Sequence, residues 1–330
     1  MRVVVNSQAL AGELRMANKI APTKPAIAIL GHVLLTAADG QLSLNTTDSE
    51  LGLATRCEAQ VAVPGALTLP VTKLLSLVEQ FPDADVTFTA ERAAVTVQCA
   101  SFKSRLQMLS ADDFPVQPEV EGLTRVMPAA TLRALYERVR YAVNVNSQQH
   151  ILRGVLVTVR AGGVALIALD GKRLAMAAST GQVAPDGDIA LPASTLDALK
   201  EHLTEGTVSM TIGQRNAFFE AGGRLLISRL NEGKYPAYER IIPKSNSLVV
   251  TMERMSARMA FKRVSLVSED NRATYVNLEP GRMTLSSAAP GLGSARSSGA
   301  SAALTPCGLP AGMSHQGGAN SAARYRPMVL

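Results

Sequence analysis

The sequence is poor in the residues on which disulfide frameworks and metal sites depend. Its 330 residues include three cysteines, four histidines and no tryptophan. Cys57, Cys99 and Cys307 are odd in number and far apart, so disulfides are not expected and a reducing, cytoplasmic compartment is. There is no Cys-x-x-Cys or His-x-x-x-His pair. Neither a metal nor a cofactor is therefore expected.

Long apolar segments are also missing. Apolar residues make up 47% of the chain, yet no uninterrupted run approaches the ~20 residues of a transmembrane helix. The first residues, Met1-Arg2-Val3-Val4-Val5, lack the charged-then-apolar layout of a secretory signal. The composition predicts a globular protein without a membrane span.

Motifs for catalysis are absent as well. No glycine-rich loop precedes a Lys-Ser or Lys-Thr pair, and no Gly-x-Ser-x-Gly segment occurs. Adjacent carboxylates occur as Asp112-Asp113 and Glu269-Asp270, both in turn-like polar segments. The sequence thus gives little support to an enzyme.

What the chain does contain is a long internal repeat. The segment Ile29–Thr36 returns as Ile151–Thr158, at an offset of 122 positions. The period is far longer than that of solenoid repeats, so each copy should be a domain with its own core. The same offset relates Asp48 to Asp170, Leu69-Pro70 to Leu191-Pro192, and Glu79 to Glu201.

Each complete copy reads as helix, strand pair, helix, strand pair. In the first copy, Ser7 is expected to cap a helix that ends before Pro22, and Asp39-Gly40 predicts a hairpin turn. Leu69-Pro70 precedes a second helix, and alternating strands follow. In the second copy Pro128 begins the first helix. We therefore predict an α+β fold in which each complete copy packs two helices on antiparallel sheets.

A third copy begins near residue 245 and is incomplete. A helix is predicted from Met252 to Leu266, with its methionines largely in the core, followed by a hairpin that ends near Leu285. Residues 287–323 are rich in Ala, Gly, Ser and Pro, and they are expected to lack regular structure. The predicted domains are 1–122, 123–244 and 245–330.

Basic residues recur on the first helix of every copy. The chain has a net charge of +6. Such stripes are either solvated helix faces or surfaces that meet a phosphate backbone without reading bases. The residues are Arg15 and Lys19 in the first copy, Arg133, Arg138 and Arg140 in the second, and Arg254, Arg258 and Lys262 in the third.

Two further segments place Gly or Pro beside apolar and Arg residues. They are Asp170–Leu174 and Tyr235–Pro243. This composition suits a shallow groove for a short peptide, but a tight turn and a linker explain it equally simply.

With these segments the chain resembles the bacterial sliding clamp, the beta subunit of DNA polymerase III. The resemblance extends over residues 1 to about 285. It rests on Pro25–Gly31, Asp39–Leu44, Ser104–Leu106, Ala111–Pro115, Ala168–Ala175, Tyr235–Pro243 and the C-terminal Pro327–Leu330.

The resemblance implies a ring of two head-to-tail subunits, closed around duplex DNA, that tethers the replicative polymerase and raises its processivity. Expected partners are duplex DNA, the polymerase III alpha subunit, the clamp loader and other proteins with a clamp-binding motif. The alternative is a clamp-derived peptide-binding module that does not close a ring. The implied partner-peptide pocket comprises Leu152, Leu169, Gly171, Lys172, Arg173, Leu174, Pro236, Arg240, Ile241, Pro327 and Met328. Implied DNA contacts are Arg15, Lys24, Arg138, Arg140, Asn146, Gln148, Gln149, Arg254 and Arg258, and implied dimer contacts are Leu106, Met108, Ser265 and Leu266.

Overall fold

The computed structural model describes two compact units. The first contains Met1–Pro236 and the C-terminal strand, and the second contains the described residues between 237 and 306. The described ranges are 1–160, 162–181, 185–202, 206–243, 248–267, 274–279, 282–289, 293–300, 302–306 and 328–329.

The first repeat copy packs two helices against antiparallel strands. Leu10, Leu14 and Ala17 of the first helix and Leu74 and Val78 of the second are buried in one core. In order the elements are β1 (Arg2–Asn6), α1 (Ser7–Ile20), β2 (His32–Ala38), β3 (Gln41–Thr47), β4 (Leu51–Glu58), β5 (Gln60–Val63), β6 (Gly65–Pro70), α2 (Val71–Val78), β7 (Asp85–Glu91), β8 (Ala94–Cys99) and β9 (Phe102–Gln107).

Two local predictions in this copy have different outcomes. Asp39 and Gly40 both have positive φ, at 48° and 73°, which fits the expected tight turn between β2 and β3. The expected cap at Ser7 is wrong, because the Asn6 side chain accepts hydrogen bonds from the N–H groups of Gln8 and Ala9. Ser7 is the first helical residue, and its hydroxyl donates to the Pro82 carbonyl instead.

The second copy repeats the order of the first, except that β5 has no counterpart among the described strands. Leu132, Leu135 and Tyr136 of its first helix lie in its core, as the helical spacing predicted. Its elements are β10 (Leu123–Pro128), α3 (Ala129–Val139), β11 (Gly154–Arg160), β12 (Gly163–Leu169), β13 (Leu174–Thr180), β14 (Gly187–Pro192), α4 (Ala193–His202), β15 (Thr207–Ile212), β16 (Asn216–Ala221) and β17 (Arg224–Arg229).

One sheet runs through both copies. Its strand order is β10-β15-β16-β17-β4-β3-β2-β6, so β17 of the second copy pairs with β4 of the first. Leu226 lies opposite Leu53 in this antiparallel junction. Below it, the Arg224 guanidinium binds the Glu13 carboxylate through two contacts, at 2.6 and 2.9 Å. The two copies are therefore joined by backbone pairing and by a partly buried ion pair.

The described part of the second unit contains one α-helix, a 3-10 turn at Tyr238–Arg240 and short antiparallel sheets. Its elements are β18 (Leu248–Met252), α5 (Arg254–Ser265), β19 (Tyr275–Glu279), β20 (Arg282–Ala289), β21 (Gly293–Ala300) and β22 (Ala302–Pro306). β18 pairs with β22, and β20 lies between β19 and β21. A small core forms around Val264 and Leu285. The hairpin expected after the helix is confirmed by the pairing of β19 with β20.

Two expectations for this region are wrong. Met255 and Met259 were placed in the core, but they are 47% and 48% exposed because α5 buries Ala260 and Val264 instead. The segment 287–323 was expected to lack regular structure, yet β21 and β22 lie within it. Backbone pairing accounts for this outcome, since ladder hydrogen bonds form without large side chains. Residues 290–292, 301 and 307–323 of that segment lie outside the described residues.

Candidate functional site

A turn between β12 and β13 positions the central residues of the expected peptide pocket. The Asp170 carboxylate accepts hydrogen bonds from the backbone N–H groups of Lys172 and Arg173, at 2.9 and 2.7 Å. The Arg173 guanidinium also donates to it, with Nε 2.9 Å from Oδ2. Gly171 has a φ of 87°, a conformation in which a side chain would be strained. The turn is thus fixed by one acid and one glycine.

The charge of Asp170 is stabilised by these contacts. Burial by itself would raise the pKa of this carboxyl group. The N–H groups of Lys172 and Arg173 and the Arg173 guanidinium outweigh burial, and the net result is a lowered pKa. Asp170 therefore holds the turn as a carboxylate, while most of the Arg173 side chain stays exposed.

Apolar residues lie next to this turn. Leu169 and Leu174 face each other across β12 and β13. Leu152 lies in the short 3-10 turn that precedes β11, the other neighbour of β12. Their exposed fractions are 8% for Leu152, 6% for Leu169 and 4% for Leu174. The three leucines are therefore largely covered, whereas Lys172 and Arg173 beside them are exposed.

The C-terminal strand reaches the same edge. β23 (Met328–Val329) pairs antiparallel with β13, with Met328 opposite Met176 and Val329 opposite Ala175. The structure thus brings the backbone of Met328 beside the strand that begins at Leu174. Pro327 lies outside the described residues.

Three other pocket residues lie at or beyond the end of the first unit. Pro236 is half-buried and closes that unit. Arg240 and Ile241 belong to the second unit, where both are exposed, and Ile241 is 51% exposed.

The expected DNA contacts differ in their surroundings. Lys24, Asn146, Gln148 and Gln149 are exposed on loops of the first unit, and Arg138 is exposed on α3. Arg254 and Arg258 are exposed on α5 of the second unit. These side chains are accessible to a phosphate backbone.

Arg15 and Arg140 already have carboxylate partners. Arg15 Nε lies 2.8 Å from Glu79 Oε1. Arg140 donates two hydrogen bonds to the Asp197 carboxylate, from Nε to Oδ1 and from Nη2 to Oδ2, both at 2.9 Å. The Tyr136 hydroxyl donates to Oδ1 of the same carboxylate at 2.7 Å. Burial, followed by the contacts with Asp197, raises the pKa of Tyr136, so this hydroxyl remains a donor. The repeat had related Glu79 to Glu201, but sequence reasoning assigned neither of them, nor Asp197, a role.

The expected dimer contacts lie on an edge strand and at a helix end. Leu106 is on β9, which is the last strand of the described sheet β5-β1-β7-β8-β9. Met108 follows it, and both side chains are partly buried against the first core. Ser265 ends α5, and Leu266 after it is 77% exposed.

None of the described helices is long and apolar enough to cross a membrane. The described residues also hold no group of three or more His, Cys, Asp or Glu side chains that could bind a metal ion.

Comparison with known proteins defines the class. Residues 1–118 match the family model for the N-terminal domain of the DNA polymerase III beta subunit, and residues 126–237 match the model for its central domain. The beta sliding clamp of Caulobacter vibrioides is 30% identical over 302 residues, which cover 86% of this chain and 80% of that protein. The clamp of Treponema pallidum is 29% identical over 296 residues, covering 88% and 80%.

A solved structure gives the same result. The crystal structure of the DNA polymerase III subunit beta from Pseudomonas aeruginosa superposes with a TM-score of 0.88 and 28% identity, covering 92% of this chain and 85% of that one. The fold and the two family matches define a DNA polymerase processivity factor without catalytic activity of its own. The chain belongs to the beta sliding clamp family, which confirms the resemblance stated above and, with it, the α+β repeat fold.

Proposed function

We propose that this chain forms a closed ring that encircles duplex DNA and tethers the replicative polymerase. The observation that carries the proposal is the junction between the two copies. There the β4 edge of one copy pairs with the β17 edge of the next. Because different edges meet, the contact is head to tail, and a repeated head-to-tail contact closes into a ring when its rotation allows.

The repeat supports an assignment of the next contacts. β17 corresponds to β9 at the offset of 122, and β4 corresponds to β13. β9 is an edge strand in the described part of the chain, so it offers another copy the edge that β17 offers to β4. Leu106 lies on this strand. We therefore assign β9, with Leu106 and Met108, to one side of the subunit joint, and the Ser265-Leu266 helix end to the other.

Partner capture is assigned to the Asp170 turn. Leu152, Leu169 and Leu174 would supply the apolar floor, with Gly171 and Pro236 shaping it. Lys172 and Arg173 would contact peptide carbonyls or carboxylates, since charged donors form the stronger hydrogen bonds. Arg240, Ile241, Pro327 and Met328 complete the proposed pocket. Its partners would be the polymerase alpha subunit, the clamp loader and other proteins with short clamp-binding motifs.

DNA contact in this proposal is weak and independent of sequence. Exposed cations and amides, rather than base-reading groups, would meet the phosphates. Lys24, Arg138, Asn146, Gln148, Gln149, Arg254 and Arg258 are accessible for this role. The ring itself, not these contacts, would keep the protein on DNA.

One observation favours the alternative of a peptide-binding module that does not close. At the β17–β4 junction four residue pairs are in register, whereas the corresponding β13 edge pairs with β23 through two. An open chain would bind clamp-binding peptides and remain monomeric.

Sedimentation equilibrium at micromolar concentration distinguishes the two. A ring of two subunits should show twice the mass of the chain, and Leu106→Arg should return it to the monomer mass. Leu123→Arg is the matched control, because Leu123 is 60% exposed and lies on β10, the edge strand of a different sheet. A wild-type protein that stays monomeric would contradict the ring and support the open module.

A further inference from the structure

The helices of the first unit carry a layer of paired charges. It consists of the cations Arg15, Lys19, Arg133, Arg140 and Lys200 and the carboxylates Glu79, Glu137, Asp197 and Glu201. Every cation of this charge layer lies within ion-pair distance of one of its carboxylates.

The two cations of α1 are held by equivalent acids from different copies. Arg15 pairs with Glu79, which follows α2 in its own copy. Lys19 pairs with Glu201, which lies in the last turn of α4 in the other copy. Glu79 and Glu201 occupy the same position of the repeat. All four side chains are about 37–53% exposed, so the pairs face solvent.

The cations of the second copy are paired too. Glu137 receives Arg133 at 3.3 Å and Lys200 at 3.2 Å. Asp197 accepts hydrogen bonds from Nε and Nη2 of Arg140 and from the Tyr136 hydroxyl. It therefore has more hydrogen-bond donors than any other acid of the layer. All five cations of the charge layer thus have a carboxylate partner, although the sequence of these helices reads as a basic stripe.

Ion pairing of this kind lowers the affinity of the helix surface for DNA phosphates. A free lysine or arginine that neutralises a phosphate releases a condensed counterion, which is the main source of non-specific DNA affinity. A cation already beside a carboxylate must share its charge, so its net attraction for DNA is small. Exposed ion pairs are themselves weak, so they open at little cost and re-form.

We propose that Glu79, Glu201 and Asp197 are positioning residues that keep the helix cations neutralised, so that DNA inside the ring is held loosely and remains mobile. This inference rests on the proposed function, because it assumes that the charge layer faces DNA. The acids act through Arg15, Lys19 and Arg140, and they need not touch DNA themselves.

The sharpest test is the double substitution E79Q/E201Q. Glutamine keeps the size and the hydrogen-bonding oxygen but removes both charges, which frees Arg15 and Lys19. The control, E58Q/E119Q, makes the same change in net charge at two exposed carboxylates outside the helices. Because all these side chains are exposed, thermal unfolding should be nearly unchanged in both variants.

Binding to a fluorescent 30-base-pair duplex is measured by anisotropy over a range of KCl concentrations. The plot of log affinity against log salt should steepen by about 0.9 for each freed cation, hence about 1.8 for E79Q/E201Q. The control should keep the wild-type slope. If E79Q/E201Q and wild type have equal slopes, or if the control steepens as much, the inference is wrong.

Retention on circular DNA separates this failure from failure of the proposed function. Suppose that the wild-type protein is retained on a nicked circle and that E79Q/E201Q has the same salt slope as wild type. This result would overturn the role of the acids and leave the proposed function intact. For the retained protein, E79Q/E201Q should diffuse more slowly along DNA than wild type, and equal diffusion would also overturn the inference.

Discussion

The two repeat copies use the same turn and place different residues after it. Asp48 accepts hydrogen bonds from the N–H groups of Glu50 and Leu51, as Asp170 does from those of Lys172 and Arg173. In the first copy the turn leads into β4, which is joined to β17. In the second copy it leads into β13, whose outer edge pairs with the short strand β23.

The shared aspartate and the residues that follow it have different roles. The aspartate belongs to the scaffold, since both copies need it to turn the chain between two strands. The residues that follow have diverged, from Glu50-Leu51-Gly52 to Lys172-Arg173-Leu174. Leu51 is buried in the core at the junction of the copies, whereas Leu174 lies at the edge proposed for partner capture. Under the proposed function, the first turn therefore has a structural role and the second turn a role in partner binding.

The largest expected effect comes from truncating the leucine beside each turn. Leu51 and Leu174 are both buried, so Leu51→Ala and Leu174→Ala should each lower the free energy of unfolding by about 2–5 kcal/mol. Only Leu174→Ala should weaken binding of a Gln- and Leu/Phe-containing clamp-binding peptide, by about tenfold to a hundredfold. Urea unfolding and fluorescence anisotropy measure the two quantities. Equal loss of peptide affinity in both variants would contradict the assignment of peptide binding to the Asp170 turn.

The next effect concerns the junction that makes the copies one unit. Arg224 and Glu13 have exposed fractions of 28% and 14%, so Glu13→Ala leaves a partly buried guanidinium without its carboxylate. We expect a loss of about 1–3 kcal/mol in the free energy of unfolding. Glu91→Ala is the control, because the Arg105–Glu91 pair is more than half exposed and should contribute about 0–1 kcal/mol. A loss no larger than that of the control would show that the Arg224–Glu13 pair adds little to the junction of the copies.

Much of this comparison could be predicted from the sequence. The offset of 122 gave the duplicated architecture, and the Asp39-Gly40 turn and the helix cores followed from local patterns. The pairing of β17 with β4 could not be predicted, because it joins segments about 170 residues apart and depends on which edges remain open. The partners of Arg15 and Lys19 were hidden for the same reason, since Glu79 and Glu201 meet α1 only in the folded chain. The cap at Asn6 was missed because Ser7 beside it is an equally good capping residue.

A smaller effect should depend on pH. The folded state lowers the pKa of Asp170, so its carboxylate contributes stability that is present above the unfolded-state pKa of about 3.9 and is lost as pH falls through the folded value. Asp170→Asn should cost about 0.5–1.5 kcal/mol at pH 7, and the difference from wild type should shrink at pH 3. Asp85→Asn, an exposed strand position, is the control. Urea unfolding across this pH range measures it, and a constant difference at every pH would contradict the role given to the carboxylate.

The smallest effect is expected at the C-terminus. Deleting residues 327–330 removes β23 and exposes the β13 edge. Peptide affinity should fall a few-fold, because the remaining floor is supplied by Leu152, Leu169 and Leu174. Titration of the same fluorescent peptide measures it. Unchanged affinity would mean that the groove is built from the second copy alone.

The most direct test of the central claim, that the chain holds DNA by closing around it, is retention on circular DNA. The protein is loaded onto a nicked circular plasmid by a clamp loader with ATP, and the complex is isolated by gel filtration in 0.5 M salt. A ring should remain on the circle at this salt concentration, at which charge contacts are screened. It should be released when a single restriction cut makes the plasmid linear. Protein that leaves the intact circle as quickly as the cut one would contradict the claim.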